Sequence, residues 1–201
     1  INASQARSWK IRRLAIENIP TLIKAAPIHA EELVKVLTKS LGDYDYHHVR
    51  EAAVRAIPKM IESVPIHAGT LAEQLIELIG DDRLCVREAA VRVICVVMEI
   101  MHDCAEKLPL RLIDLAGDDR WYVREAALRV IPRVMQTTST HAEGLVQQLM
   151  HSLGDVHLQV CQTALHVIRQ EMESMPASVR EQAQRLVQSL EHDSRIANQP
   201  A

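Results

Sequence analysis

The sequence predicts an all-α protein, a solenoid of about five stacked helix pairs with about ten helices in total. The first observation behind this prediction is a nine-residue segment, VREAAVRVI, at 86–94. It recurs at 49–57, at 123–131 and, in altered form, at 160–168, so that successive copies begin 37 residues apart. A weaker copy at 11–19 begins 38 residues before the copy at 49. A fixed period of this length is typical of stacked helical repeats, in which each unit contacts its neighbours.

The second observation is a composition that favours helices. The 201 residues include no Phe, two Trp, three Tyr, six Gly and eight Pro. They are rich in Ala, Leu, Arg, Glu and Gln, which have high helix propensity. Lys and Arg number 23 against 26 Asp and Glu. This balance gives no support to a protein that binds a phosphate backbone, which usually presents a basic face.

The third observation is the order of the helices within each period. One helix ends at a glycine, a short acidic turn follows, and a second helix, here called the motif helix, carries the recurring segment. The helix-ending glycines are Gly42, Gly80, Gly117 and Gly154. We expect one repeat array over 1–191, with a C-terminal tail over 192–201. Its units lie near 9–41, 42–79, 80–116, 117–153 and 154–190.

Capping patterns mark several predicted helix starts. A capping box places a short polar residue three positions before a glutamate, and three such pairs occur. They are Asp103 with Glu106, Thr140 with Glu143, and Ser178 with Glu181. The last predicted helix, about 178–190, is polar, which suits a helix that caps the end of an array.

An aspartate precedes the arginine of three motif copies by six or seven residues. The pairs are Asp43 with Arg50, Asp81 with Arg87, and Asp118 with Arg124. In the last copy Asp155 remains and Cys161 replaces the arginine. With the Ala-rich helix that follows, and with Pro109 in one preceding helix, this pattern resembles HEAT repeats over about 9–191. The resemblance implies a right-handed solenoid whose motif helices line its concave surface.

These six Asp and Arg residues are expected to be structural, and we call them the ladder. A carboxylate that lies before a helix N-terminus accepts backbone N–H groups there. The arginine one turn into the helix can reach back to it, and such pairs can tie stacked units together.

The solvent-facing side of the motif helices, which the resemblance places on the concave surface, is the first candidate binding surface. We call it the charged stripe. At 100° per residue, one side of each motif helix is apolar and the opposite side carries the stripe. Its members are Arg55, Lys59, Arg92, Cys95, Val96, Arg129, Arg133 and Arg169. A glutamate lies four residues before Arg55, Arg92 and Arg129, so the stripe is either a self-neutralised, solvated face or a mixed-charge groove for a peptide or helix.

The middle motif helix departs from its neighbours. It carries Cys95 and Val96 where two others carry Pro-Lys or Pro-Arg. One interpretation is an apolar centre inside a charged rim, as in many interfaces. The other is a helix that packs more tightly, or runs straighter, without its proline.

The second candidate surface is the row of acidic turns before the motif helices, here called the turn ridge. Its residues are Tyr44, Tyr46, His47, His48, Arg83, Leu84, Arg120, Trp121, Tyr122, His157 and Leu158. Four of the five aromatic residues of the chain lie in this row, and Tyr, Trp and Arg commonly anchor interfaces. Equivalent turns are expected about 9–10 Å apart, using helix-packing distances. Alternatively, each aromatic ring packs under the next turn.

No His-Glu-x-x-His motif, Gly-rich phosphate loop or Gly-x-Ser-x-Gly motif occurs in the sequence, and a catalytic Cys–His pair stays open. His29, His67 and His141 recur at helix starts, with Cys104 at the remaining equivalent position, and we expect them to cap or pack. The four cysteines form no Cys-x-x-Cys pair, which is typical of reduced thiols in the cytoplasm, with the nucleus as the alternative. We expect no cofactor, no metal and no membrane-spanning helix.

The sequence therefore favours a non-enzymatic scaffold, expected to be monomeric, that binds a protein or peptide. Two other classes stay open. One is a nucleic-acid reader or DNA-repair enzyme, because some HEAT-like arrays resemble DNA glycosylases. The other is a tubulin-binding array similar to TOG domains, with Tyr44 or Tyr46 in the first turn and Arg83 and Arg120 in later turns. Trp121 lies late in the chain for that class, and the array is one unit short.

Overall fold

The computed structural model describes residues 3, 8–100, 107–137 and 141–197. The regular elements of these residues are α-helices and short 3-10 turns, which follow one another along the chain. The all-α repeat prediction is confirmed. The α-helices are α1 Trp9–Glu17, α2 Ile19–Ala25, α3 Ala30–Leu41, α4 His47–Ser63, α5 Ala68–Glu77, α6 Leu84–Ile100, α7 Lys107–Ala116, α8 Trp121–Thr137, α9 Ala142–Ser152, α10 Leu158–Glu171 and α11 Ala177–Ala197. Short 3-10 turns occupy Pro27–His29, Pro65–His67 and Leu78–Gly80.

The chain forms two compact units, 1–105 and 106–201. In the first unit, the motif helix α4 packs against the motif helices α1 and α6, and α3 and α5 pack beside them. In the second unit, the motif helix α8 packs against α7 and α10, and α9 contacts α7, α10 and α11. Each unit is therefore a stack of helix pairs in which motif helices contact motif helices.

The recurring segment lies in the core of both units. Its first valine and its last isoleucine are at most 1% exposed in four copies. These residues are Val49, Ile57, Val86, Ile94, Val123, Ile131, Val160 and Ile168. Burial of one such side chain stabilises a fold by about 1.5–3 kcal/mol. The repetition in sequence is therefore mainly a repetition of core contacts.

The first predicted helix is divided in two, so the described residues contain eleven α-helices where the sequence predicts about ten. The division lies at Asn18, whose side-chain amide donates to the carbonyl of Leu14 at 2.7 Å. This bond occupies an acceptor that a continuing helix would use, and the start of α2 contains Pro20, which has no N–H to donate. Pro58 and Pro132, by contrast, lie inside α4 and α8.

Some predicted boundaries are correct and others are not. Gly42 and Gly117 directly follow α3 and α7, as predicted, whereas Gly80 ends a 3-10 turn. Helix α11 continues to Ala197, so residues 192–197 of the predicted tail are helical. No glycine or proline occurs between 190 and 197 to stop it.

The one capping box that can be checked is wrong. Ser178 lies inside α11, and its hydroxyl donates to the carboxylate of Glu143 in α9 instead of capping its own helix. The helix instead follows Pro176, whose carbonyl accepts the N–H groups of Val179 and Arg180. The box of 103 and 106, the Thr140 part of the other box, and Cys104 lie outside the described residues. No helix in the described part of the chain is long and apolar enough to cross a membrane.

Candidate functional site

Two ladder arginines, Arg50 and Arg124, bind an aspartate of the following repeat. The Nε and Nη2 atoms of Arg50 donate to the two carboxylate oxygens of Asp81 at 2.7 and 2.9 Å. Arg124 makes the same pair of bonds to Asp155 at 2.6 and 2.9 Å. In both cases the arginine lies 31 residues before the aspartate. Two parallel charge-assisted bonds fix both the distance and the orientation of adjacent turns.

Each ladder arginine also reaches back to its own turn, but to a main-chain oxygen. Arg50 donates to the carbonyl of Asp43 at 2.7 Å, and Arg87 donates to that of Asp81 at 2.7 Å. Arg124 donates to the carbonyl of Asp118 at 2.8 Å. We expected these arginines to contact the carboxylate of their own turn, and for Arg50 and Arg124 the carboxylate bonds instead go to the next repeat.

Asp81 of the ladder and the equivalent Asp155 of the last copy also stabilise the turns that contain them. Asp81 accepts the backbone N–H of Arg83 at 2.8 Å, and Asp155 accepts that of His157 at 2.8 Å. In each case the donor immediately precedes a motif helix, so these bonds do not satisfy the orphan N–H groups of the first helical turn. The hydrogen bond from Arg124 holds the pKa of the Asp155 carboxyl below its usual value. Both oxygens of Asp155 are thus already engaged, which favours a structural role over ligand binding.

Sequence reasoning missed one member of this series, Arg12. Its Nη2 lies 3.6 Å from a carboxylate oxygen of Asp43, again 31 residues later. Its guanidinium lies 4.4 Å from the ring centre of Tyr46. At the other end of the series, the thiol of Cys161 stands where the arginine would be and donates to the carbonyl of Leu153 at 3.1 Å.

In the first unit, the turn ridge is partly packed and partly open. The ring of Trp9 stacks on His48 at 4.8 Å, and the rings of His47 and His48 are 3.9 Å apart. Burial and neighbouring charges lower the pKa of His47. Tyr44 is almost fully exposed, and Leu84, the first residue of α6, is also exposed.

In the second unit, the turn ridge contains a fixed aromatic group beside exposed apolar side chains. Trp121 stacks on His157 of the next turn at 5.7 Å and meets the edge of the Tyr122 ring at 5.9 Å. Trp121 is still 37% exposed. Val156 and Leu158, which flank His157 in the sequence, are 92% and 63% exposed. We call Trp121, Val156 and Leu158 the apolar ridge patch, and Val156 was not among the predicted residues.

Arg120 is held beside this patch. Its Nε atom lies 3.0 Å from Oδ1 of Asp118, and its backbone N–H donates to the same oxygen at 2.9 Å. Its guanidinium lies 5.9 Å from the ring centre of Tyr122. The hydrogen bonds from Arg120 lower the pKa of Asp118. A cation and an indole ring therefore have defined positions at the start of α8.

The charged stripe is largely exposed in both units, and two of its arginines form ion pairs with glutamates four residues earlier. In the first unit Lys59, Arg92 and Val96 are exposed, and Arg55 forms an ion pair with Glu51 at 2.5 Å. In the second unit Arg169 is exposed, Arg133 is half-buried, and Arg129 lies 3.9 Å from Glu125. At the predicted apolar centre, Val96 is exposed, and the half-buried thiol of Cys95 donates to the carbonyl of Val91 in its own helix.

No protein-family model matches this sequence, and no curated protein matches it. Solved structures do match. One is an archaeal HEAT-like repeats protein from Thermococcus onnurineus NA1, with a TM-score of 0.59, 15% identity, 94% of this chain covered and 77% of that chain. This chain has a HEAT/armadillo-like repeat fold.

Two further structures share the HEAT/armadillo-like fold of this chain. A designed armadillo repeat protein in complex with the peptide (KR)4 has a TM-score of 0.56 at 16% identity, with 100% of this chain and 91% of that chain covered. The Escherichia coli protein YibA has a TM-score of 0.59 at 18% identity, with 86% of this chain covered. The chain spans 58% of the length of YibA. At these identities the likeness shows the fold alone.

One HEAT-like repeat of the second unit contains a buried carboxylate that the sequence pattern did not reveal. Glu171 is 5% exposed, and it follows the fully buried Val134 by one period. The hydroxyl of Ser174 donates to its carboxylate at 2.9 Å, and the amide of Gln136 donates at 3.3 Å. Gln136 in turn accepts from Arg133 at 3.3 Å. This hydrogen-bond chain connects a stripe arginine to the core.

The described histidines and cysteines are the remaining candidates for site chemistry. His29, His67 and His141 stand at the N-cap positions of α3, α5 and α9, but their side chains make no capping bond, so of the two expected roles, capping and packing, capping is excluded for them. No group of three or more His, Cys, Asp or Glu residues in the described part of the chain could hold a metal ion. Burial raises the pKa of the Cys85 thiol, whereas a nucleophilic cysteine needs a lowered pKa.

Proposed function

We propose that this chain is a non-enzymatic helical-repeat scaffold that binds a protein or peptide through the turn ridge and the charged stripe. The observation that carries the proposal is the apolar ridge patch. Exposed apolar groups that lie together commonly mark a protein interaction site, and Trp is among the residues that most often anchor interfaces. Stacking on His157 already fixes the Trp121 ring, so little side-chain entropy would be lost on binding.

The charged stripe supports the same proposal more weakly. Arg55 with Glu51 and Arg129 with Glu125 form ion pairs on the exposed face of α4 and α8. An alternation of both signs suits a polar partner surface better than a phosphate backbone. The designed armadillo repeat protein with a similar fold is in complex with a peptide, which supports peptide binding by helical repeats in general. The thiols of Cys85 and Cys161, which form no disulfide, support a cytoplasmic location, where thiols stay reduced.

The test is affinity capture from a cytosolic extract, with the retained molecules identified by mass spectrometry. Wild type would be compared with Trp121→Ala and with Val96→Glu. Ile66→Ala is the matched control, because Ile66 is 88% exposed but lies in a turn outside both surfaces. We expect a protein that wild type and the control retain and that at least one of the other variants loses.

Other results would contradict the proposal. Retention of nucleic acid alone, released by salt, would favour the nucleic-acid reader. Retention of tubulin that an added Tyr44→Ala variant loses and Trp121→Ala keeps would favour the TOG-like class, and it would contradict the apolar ridge patch as the anchor. Equal retention by all four proteins would show that neither surface is the binding site.

A further inference from the structure

Both tryptophans of the chain begin a motif helix and stack on a histidine of the next repeat. Trp9 is the first residue of α1, and its ring stacks on that of His48 in α4 at 4.8 Å. Trp121 is the first residue of α8, and its ring stacks on that of His157, the N-cap residue of α10, at 5.7 Å. The ring planes are inclined by 27° in both pairs. The stack of a tryptophan on a histidine is therefore a recurring feature of the turn ridge.

In the first unit, the pair is enclosed by other basic groups. Trp9 and His48 are both half-buried. The ammonium group of Lys10 lies 5.8 Å from the centre of the Trp9 ring, and the ring of His47 lies 3.9 Å from that of His48. Burial and neighbouring basic groups lower the pKa of His47. A further positive charge is therefore unfavourable at this pair.

In the second unit, the histidine lies within the apolar ridge patch. His157 is exposed, and so are Val156 and Leu158 on either side of it. The carboxylate of Asp155 accepts its backbone N–H at 2.8 Å, and its ring lies against that of Trp121. The imidazole therefore has a defined position among exposed apolar side chains, where it can exchange protons with solvent.

The charges next to this histidine are mostly paired with each other. The charged and titratable groups of the adjoining turns and helix ends are Asp118, Asp119, Arg120, Tyr122, Arg124, His151 and Asp155. Arg124 forms two hydrogen bonds with Asp155, and Arg120 is paired with Asp118. The hydrogen bond from Arg124 keeps the pKa of Asp155 below its usual value, so this carboxylate is ionised throughout the range in which histidines change charge.

Two contacts favour a positive charge on this imidazole, and one opposes it. The carboxylate of Asp155 and the face of the Trp121 ring attract a cation, whereas the N-terminal end of the α10 dipole repels it. Of the adjoining groups, His151 is the other histidine, and it therefore provides a control.

We propose that His157 is a pH-sensitive charge switch in the apolar ridge patch. Histidine side chains change charge as the pH falls from about 8 to about 5. When the imidazole is neutral, the patch is apolar. When it is protonated, a cation lies within the apolar patch at cation–π distance from Trp121, and covering that cation with an apolar partner costs its hydration. A partner of the patch would therefore be released in acid. This regulation rests on the proposed function, because it acts on the same patch.

The test measures the fluorescence of Trp121 in the full chain with Trp9→Phe, which leaves Trp121 as the single tryptophan. Between pH 8 and pH 5 its emission should fall in one sigmoidal step, because an imidazolium group in contact with an excited indole ring quenches it. Quenching by iodide relative to quenching by caesium should rise at least about twofold, because the new charge attracts anions and repels cations. Circular dichroism at both pH values would confirm that the chain is folded.

The deciding variant is His157→Gln, which has no titratable side chain at this position and should abolish both changes. The matched control is His151→Gln, because His151 is also an exposed histidine of the second unit, and its response should equal that of the parent. If Trp9→Phe disturbs the fold, the difference in emission between wild type and Trp121→Phe gives the same response.

Three results would overturn the proposal. These are no change in emission and ion quenching with pH, equal changes in His157→Gln, and changes that His151→Gln abolishes. In affinity capture, a protein that wild type retains at pH 7.5 should be released at pH 5.5, whereas with His157→Gln the retained amount should not differ between the two pH values. Equal retention by wild type at both pH values would overturn the release in acid. The quenching experiment needs no partner, so a capture experiment that retains no protein contradicts the proposed function alone.

Discussion

Two ion pairs in the first unit have the same residue types and the same spacing of 31 residues but differ in geometry. Arg50 holds Asp81 through two bonds of 2.7 and 2.9 Å. Arg12 approaches Asp43 at 3.6 Å. Arg50 is also anchored by the carbonyl of Asp43, whereas Arg12 lies over the Tyr46 ring, and its buried Nε has no hydrogen-bond partner in the described part of the chain. Sequence spacing therefore brings two partners together, and the strength of the pair depends on the contacts that orient the arginine.

The largest effect is expected for Arg50→Ala. The substitution leaves the Asp81 carboxylate nearly buried without its bidentate partner, and the unfolding free energy should fall by about 3 kcal/mol. The measurement is urea unfolding followed by circular dichroism. Arg55→Ala is the control, because Arg55 lies in the same helix in an exposed pair that is worth about 0.2–0.5 kcal/mol. Equal losses for the two variants would contradict the difference between buried and exposed pairs.

The second-largest effect is expected from acid, which should weaken the Arg124–Asp155 pair. The pKa of Asp155 is lower in the folded protein than its usual value of 3.8. The stability that the Arg124–Asp155 pair contributes is therefore fully present above pH 3.8. It is lost as the pH falls through the pKa that Asp155 has in the folded protein. Melting temperatures between pH 7 and pH 3 should fall less steeply at the acid end for Asp155→Asn than for wild type. Parallel curves would show that this pair makes no pH-dependent contribution.

A smaller effect is expected for Arg12→Ala. Its single long ion pair and its contact with the Tyr46 ring together should contribute about 1 kcal/mol. The loss in urea unfolding should be clearly smaller than that of Arg50→Ala. A loss of the same size would mean that the end of the series is as well ordered as its interior.

Much of the fold could be predicted because the repeat determines both which residues are buried and which residues form ion pairs. The recurring segment fixes which residues are buried, and the 37-residue period minus the six residues from Asp81 to Arg87 gives the 31-residue pairing. For Arg12 the corresponding numbers are 38 and seven, which again give 31, so its pairing with Asp43 follows from the sequence. We missed it because the first copy lacks the rest of the motif.

Other features depend on neighbours that a period does not specify. The helix break at Asn18 arises from one side-chain bond to Leu14. The thiol of Cys95 donates to the carbonyl of Val91 in its own helix, and the repeat pattern does not specify this bond. Glu171 is buried because Ser174 and Gln136 are close enough to donate to it. The apolar ridge patch likewise depends on contacts between turns, and single-residue patterns do not show these.

A double-mutant cycle on Arg50 and Asp81 tests most directly whether the interior pairs hold adjacent repeats together. Unfolding free energies would be measured for wild type, Arg50→Ala, Asp81→Ala and the double variant. The geometry predicts a coupling energy of at least about 1.5 kcal/mol, because the pair is bidentate and nearly buried. A coupling energy near zero would contradict it, since the two side chains would then stabilise their own turns independently.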